Sequence, residues 1–239
     1  MREFRYWVLQ PLLTAVFVIV LSGLIYAFYA FLPWRDPLTA LRGHLVEKRP
    51  YDRNLSNDLL AELRNGGFTL FVRHGKSDGG NAAIDRASLL KIVPSEYQRS
   101  VCLNEQGRAE SQILGQFFSA KKIPIGEVVA SPVCRARETA ELSLGRVDRL
   151  DPSLIFPDLL APDERHAAQM SVKKLLEQTP AAGTNRMLVS HGAVLESIGY
   201  ESASPEQAGM VIFQHTGKGP TIRSIVTLYN MTLALPAGP

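Results

Sequence analysis

Three apolar runs in this 239-residue chain stop abruptly at groups that could do chemistry. Phe68 to Val72 runs into Arg73–His74–Gly75, and Met187 to Val189 passes through Ser190 into His191–Gly192. Val128 to Ala130 runs into Ser131–Pro132–Val133–Cys134–Arg135. A neutral imidazole nitrogen is a nucleophile that can attack phosphorus and carry the phosphoryl group covalently. A guanidinium offers two parallel N–H donors that match phosphate oxygens. A helix start adds backbone N–H groups and the positive end of the helix dipole, which favour anions. Two arginines and two histidines, each at or just beyond a strand end, read as a dianion site containing its own nucleophile. Cations flanking it would stabilise charge on the equatorial oxygens during transfer. Taken singly, each histidine is an ordinary loop residue and Arg135 an ordinary surface arginine; the shared placement is what carries the reading. Such chemistry needs no metal or cofactor, and no Cys/His spacing or carboxylate–histidine cluster of metal-binding type occurs in the sequence.

The flanking elements must bring these groups to one rim. Ser56 to Arg64 reads as a short helix ended by Gly66–Gly67. Phe68–Val72 reads as the first strand. Asn104 to Lys121 is an amphipathic helix, with Ile113, Leu114, Phe117 and Phe118 at helical spacing. Val128–Ala130 is a short strand, and Ser131–Pro132 predicts a helix start with Ser as N-cap and Pro at the first helical position, running to Leu144. Asp163 to Gln178 predicts a helix with Val172, Leu175 and Leu176 inward. Met187–Val189 is a third buried strand, and Gly209–Gln214 and Ile222–Leu228 read as two last ones. Apolar strands alternating with helices predict an α/β fold: a doubly wound, mostly parallel sheet with helices on both faces. In such sheets ligands bind beyond the carboxyl ends of the strands.

The stretches "FVRHG", "LNEQGRAES", "ASPVCRARETA" and "VSHG" occur in this order. They resemble the four signature blocks of the histidine phosphatase superfamily, the phosphoglycerate mutase-like proteins, over about residues 66–200. The resemblance implies that His74 is the nucleophile that becomes phosphorylated. Arg73 and Arg135 would bind the phosphate, and His191 would contact it and stabilise the transition state. It implies a histidine acid phosphatase-type phosphoric monoester hydrolase without a cofactor. The substrate would be a phosphorylated small molecule, glycolipid or protein. A carboxyl group should serve as general acid. "PDERH" resembles the "NERH" stretch of phosphoglycerate mutases, which points to Glu164 first and Asp163 second, with Asp158 nearby. Both acids equally suit a plain helix start. Lys76 and Ser77 stand where relatives often carry Glu and Ser or Thr, and the last block, "HGAVLES", lacks the arginine that often follows His-Gly-Gly. Lys76, Ser77 and Asn81 are candidates for shaping the substrate mouth, within a long polar loop from Gly75 to Cys102. The blocks bring Cys102 and Cys134 toward the same rim, where they are either a disulfide or two buried thiols. A catalytically silent phosphate-binding or scaffold domain, a phosphohistidine-protein phosphatase and a mutase are the alternatives.

Outside this domain, Trp7 to Leu32 holds no charged residue and is long enough to cross a bilayer as a helix, with Tyr6, Trp7, Tyr29 and Trp34 at its ends. A cleaved signal peptide is the alternative, but the run exceeds a usual signal core and lacks a clear cleavage site. The expected organisation is an anchor over residues 1–34, a basic linker over 35–55 and a catalytic domain over 56–239. More cations follow the span than precede it, which by itself would put the domain in the cytoplasm, yet large domains translocate despite such charge. A disulfide would favour an oxidising compartment. The expected location is a bacterial-type inner membrane, single-pass, with the catalytic domain periplasmic. A net charge of +3 is too small for a nucleic-acid footprint.

Overall fold

Side chains along a strand alternate between the two faces of its sheet, and the apolar runs do so here. Leu70, Val72, Val128, Ala130, Met187 and Val189 enter one buried cluster, and Phe71, Val129 and Leu188 enter another. Each run is thus buried on both faces, which is why it reads as continuous rather than alternating. The computed structural model describes residues 55–78 and 102–236. The chain divides between Arg49 and Pro50 into two units. The first unit, with the span Trp7–Leu32, lies outside the described residues, as do Asn81 and residues 50–54 of the linker. Among the described residues no helix is long and apolar enough to cross a membrane.

The elements are α1 (Asn57–Asn65), β1 (Phe68–Arg73), α2 (Glu105–Lys121), β2 (Ile125–Ala130), α3 (Cys134–Leu144), β3 (Arg149–Leu150), α4 (Pro162–Glu177), β4 (Asn185–Ser190), α5 (Gly192–Ser197), β5 (Met210–Thr216), β6 (Gly219–Val226) and α6 (Leu228–Ala234). Short 3₁₀ turns at Pro152–Leu154 and Pro157–Leu159 precede α4. The sheet runs β3-β2-β4-β1-β5-β6. The four strands β1 to β4 are parallel, while β5 and β6 are antiparallel to their neighbours, so the sheet is mixed. Leu59 and Leu63 of α1, Leu114, Phe117 and Phe118 of α2, and Ala136 and Ala140 of α3 cover one face. Val172, Leu175 and Leu176 of α4 and Val194 and Leu195 of α5 cover the other.

Local chemistry sets the helix ends. The Ser56 hydroxyl accepts from the Leu59 N–H, and Gly66 ends α1 with a positive φ of 78°. The Asn104 side chain accepts from the Gly107 N–H at the start of α2. The expectation for α3 needs correction: the helix begins at Cys134 with Val133 as N-cap, and Ser131 does not cap it. The Ser131 N–H continues the sheet by donating to the Val189 carbonyl at 2.9 Å, so the chain stays extended past Ala130. That delay carries Ser131 into the site.

Candidate active site

Strand register assembles the site. In the parallel pair β1–β4, Arg73 lies opposite Ser190, so His74 and His191 each come one residue past matched tips. The His74 N–H donates to the Ser190 carbonyl at 3.0 Å, and the two rings meet at 5.0 Å between centroids. On the far side of β4, Ala130 pairs with Val189, which sets Ser131 at the same height. After β1 the chain leads to α2 on one face, and after β4 to α5 on the other. Departure to opposite faces opens a crevice between two neighbouring strand ends, the switch point of an α/β sheet.

A cavity of about 230 Å³ fills this crevice, lined by Arg73, His74, Arg135, Phe156, His191, Gly192, Ala193, Glu196 and Ser204. His74 is buried. Its Nδ1 lies 2.7 Å from the Gly75 carbonyl oxygen, which can only accept, so Nδ1 carries the proton. Its Nε2 accepts from the Arg135 Nε–H at 3.0 Å. Both neighbours fix one tautomer, with the lone pair on Nε2 facing the guanidinium. Burial first, then the Arg135 charge, pushes the His74 pKa down to about 3, against the opposing Gly75 carbonyl. The His74 imidazole is therefore neutral without a base to deprotonate it. His191 is pushed well below its ordinary value as well, by burial first and then by His74, Arg135 and Arg73. Its Nε2 lies 3.2 Å from the Ser131 hydroxyl, while its Nδ1, buried, has no partner among the described residues. The Arg73 guanidinium donates to the Pro205 carbonyl at 3.2 Å, leaving its buried Nε–H without a partner among the described residues. Burial and the Arg73 charge lower Arg135 to about 10, so it remains cationic near neutrality. Phe156 closes one side, with the Arg135 guanidinium 5.2 Å from its ring centre and the His191 ring at 4.8 Å, edge-on. An unmatched buried Arg73 donor beside a second guanidinium, in a pocket lined by both, is an arrangement suited to an anion.

Other contacts hold the His74 backbone. The Gly75 N–H donates to the Thr139 hydroxyl at 3.0 Å, and that hydroxyl donates to the Arg135 carbonyl at 2.7 Å. Thr139 thus ties His74 to the helix turn carrying Arg135. The Lys76 N–H donates to the Glu110 carboxylate at 2.8 Å. A Cβ on Gly75 would stand 2.6 Å from the Gly107 carbonyl oxygen, and a Cβ on Gly107 would collide with the Lys76 backbone. Close approach of two backbones is why both blocks carry glycine here; Gly75 does not have a positive φ. Cys102 and Cys134 are joined by a disulfide, next to Leu103 on one side and Arg135 on the other. Among the described residues, Cys102, Cys134 and Glu138 form the one group of metal-ligating types, and its sulfurs are bonded to each other.

The structure brings Arg73, His74, Arg135 and His191 together. It does not bring Glu164 or Asp163 into their cavity. A Glu164 carboxylate oxygen accepts from the Ala161 N–H at 3.0 Å, and Glu164 lines a separate cavity of about 370 Å³ with Ile155 and Leu159. Asp163 and Asp158 are exposed. Lys76 donates through Nζ to Gln106 at 2.8 Å and, like Ser77, does not line the histidine cavity. Ser131, Phe156, Ser204 and Glu196 are the additions. Of these, the sequence marks Ser131 only as a helix cap, and the block holding Glu196 only by its missing arginine.

A model of the histidine phosphatase superfamily (branch 1) matches residues 69–159, a stretch holding Arg73, His74 and Arg135 and ending before His191. No curated protein matches the chain in sequence. Among solved structures, an open-reading-frame product of Mycobacterium tuberculosis is 16% identical with a TM-score of 0.49, covering 68% of this chain and 98% of that one. The protein histidine phosphatase SixA complexed with tungstate is 19% identical with a TM-score of 0.45, covering 69% and 99%. A phosphoserine phosphatase from Entamoeba histolytica in complex with 3-phosphoglyceric acid is 15% identical with a TM-score of 0.41, covering 66% and 95%.

Proposed function

We propose that this chain is a phosphomonoesterase of the histidine phosphatase superfamily that works through a phosphohistidine on His74 and needs no metal. The observation that carries the reading is the His74 imidazole: neutral by burial, its tautomer set by the Gly75 carbonyl, its Nε2 lone pair beside Arg135. Substrate phosphate displaces the Arg135–His74 contact, and Arg73 and Arg135 take its oxygens. Nε2 then attacks phosphorus, the P–O bond to the leaving alcohol breaks, and the phosphorylated ring keeps its Nδ1–H on the Gly75 carbonyl. His191, neutral, donates to or accepts from the transferring group through the nitrogen that has no partner among the described residues. Water then cleaves the P–N bond and releases inorganic phosphate.

The test is hydrolysis of an aryl phosphate by the full chain, with acid-quench trapping of labelled phosphate. Activity and a trapped label that both vanish in His74→Ala are expected. Full activity in that variant, or strict dependence on added metal, would refute the reading. A silent phosphate-binding domain would bind phosphate without trapping label. The proposed setting is a membrane: Trp7–Leu32 as a single anchor, with the catalytic domain on the periplasmic side. The Cys102–Cys134 disulfide supports an oxidising compartment. A reporter fused at the C-terminus tests this, and a cytoplasmic readout would overturn it.

A further inference from the structure

Phosphoryl transfer to His74 leaves an alkoxide that must gain a proton, and the acids expected from the sequence do not line the cavity where it forms. Among the described residues, Glu196 is the one carboxylic acid that does. It sits on α5, the short helix that starts immediately after His191, five positions beyond that histidine. Its side chain is exposed, and among the described residues no hydrogen bond or ion pair engages its carboxyl group. Most other carboxylates near the rim are occupied: Glu110 on the Lys76 N–H, Glu138 on the Leu103 N–H, and Glu164 on the Ala161 N–H.

A second observation places the leaving group beside it. The histidine cavity, about 230 Å³, is small for more than a phosphoryl group and a few further atoms. It shares Ala193 and Glu196 with a larger cavity of about 660 Å³, lined also by Asp158, Arg165, Gln169 and Glu201. With the phosphoryl group held among Arg73, Arg135 and the histidines, the rest of a larger substrate extends across the shared wall. Glu196 stands on that wall, between the phosphorus and the body of the leaving group.

We infer that Glu196 is the proton donor to the leaving alcohol and, in the second step, the base that activates water. This deepens the proposed function and rests on it. As Nε2 of His74 bonds to phosphorus, the P–O bond breaks and the departing oxygen takes the proton of the Glu196 carboxyl group, giving a neutral alcohol. The Glu196 carboxylate then takes a proton from water as the water oxygen attacks phosphorus. The P–N bond breaks, its electron pair returns to Nε2, and phosphate leaves with Glu196 protonated again. The other groups lining the cavity serve poorly as the acid: burial keeps both histidines unprotonated, and the arginines hold their protons too firmly. The larger cavity holds three carboxylates against one arginine, and that arginine is turned to the Pro157 carbonyl at 3.1 Å.

The test uses leaving groups of graded acidity. Wild type and Glu196→Gln, as full chains, are compared by kcat/KM on para-nitrophenyl phosphate, phenyl phosphate and an alkyl phosphate. kcat/KM reports formation of the phosphohistidine and not its hydrolysis. Para-nitrophenolate departs without a proton, whereas an alkoxide cannot. The expected result is a loss of about a hundredfold or more on the alkyl ester and far less on the para-nitrophenyl ester. An equal loss on all three, or none, overturns the inference. Glu164→Gln is run alongside, and if the graded loss appears there, the role belongs to Glu164. Label trapped on His74 in Glu196→Gln with the para-nitrophenyl ester shows that the underlying reading stands even if the gradient is flat. Absence of label in the wild type fails that reading instead. The substitution is at an exposed position and near-isosteric, so an unchanged thermal midpoint verifies the fold.

Discussion

His74 and His191 end neighbouring parallel strands, are each followed by glycine, and are both buried, yet their surroundings differ. His74 has a partner at each nitrogen: the Gly75 carbonyl behind it and the Arg135 Nε–H in front. His191 has one partner, the Ser131 hydroxyl, and an unmatched nitrogen. A hydroxyl accepts or donates, so it leaves either tautomer of His191 open, while a carbonyl permits only one of His74. One ring thus presents a defined lone pair, as the proposed nucleophile needs, and the other an adaptable hydrogen-bonding edge. Two nearly identical sequence motifs acquire two environments through groups that lie elsewhere in the chain.

The largest test of that contrast is covalent. His74→Ala should reduce turnover to background and leave no trapped label. His191→Gln should lower kcat by about a hundredfold to a thousandfold while still giving a label on His74. If both variants retain label, or both lose it, the two rings are not functionally distinct. Arg135→Lys keeps a cation but loses the Nε–H that faces Nε2 and the two-pronged grip on phosphate. Its kcat/KM should fall by about tenfold to a hundredfold, the range of one charged hydrogen bond; an unchanged value would mean that Arg135 acts only as a point charge.

A pH measurement probes the same pair without chemistry. Folded His74 has a pKa near 3 against 6.5 when unfolded, so below about 6.5 the unfolded chain takes up a proton that the folded site refuses. Stability from this group is full above 6.5 and is lost as pH falls toward 3. His191, shifted in the same direction, adds to the loss. The thermal midpoint of the wild type should therefore drop between about pH 7 and pH 4 by more than that of His74→Asn. Equal drops would mean that the folded site accepts the proton. The smallest effect is expected from Ser131→Ala, which removes the one partner of His191. A single neutral hydrogen bond is worth about 1 kcal/mol, so kcat should fall by roughly fivefold, with the label on His74 intact.

The sequence displays the strand tips because burial on both faces leaves long apolar runs, and a run that halts at Arg-His-Gly or Ser-His-Gly is visible without any partner. It displays Arg135 because a helix start after such a run is also visible. Ser131 was read as a helix cap, since Ser-Pro fits that role. The sheet instead holds Ser131 with one more bond, to the Val189 carbonyl some sixty positions away, and the helix starts only at Cys134. Phe156 lies in irregular chain between two 3₁₀ turns, where no periodicity marks an inward side chain. That segment is fixed by a tertiary contact, the Ser190 hydroxyl donating to the Leu154 carbonyl at 2.7 Å. Glu164 had two readings, acid or helix start, and its carboxylate closes on the Ala161 N–H. Glu196 gave only a mismatch with a resembling block, and its place on the cavity wall depends on where α5 packs. The two last strands were legible as strands; the tight connection between Thr216 and Gly219 makes β6 antiparallel to β5, while β5 runs antiparallel to β1 through a separate, non-local pairing.

The alignment of Arg73 with Ser190 has a further consequence. Sliding one strand by a single residue would turn every side chain on it to the opposite face, sending His74 or His191 away from its counterpart while leaving most of the apolar burial in place. Spectroscopic signals of secondary structure would hardly notice. The proposed turnover would notice at once, because it would need both rings together beside Arg135. Under that reading, activity is an alignment gauge for the sheet, with a resolution of one residue.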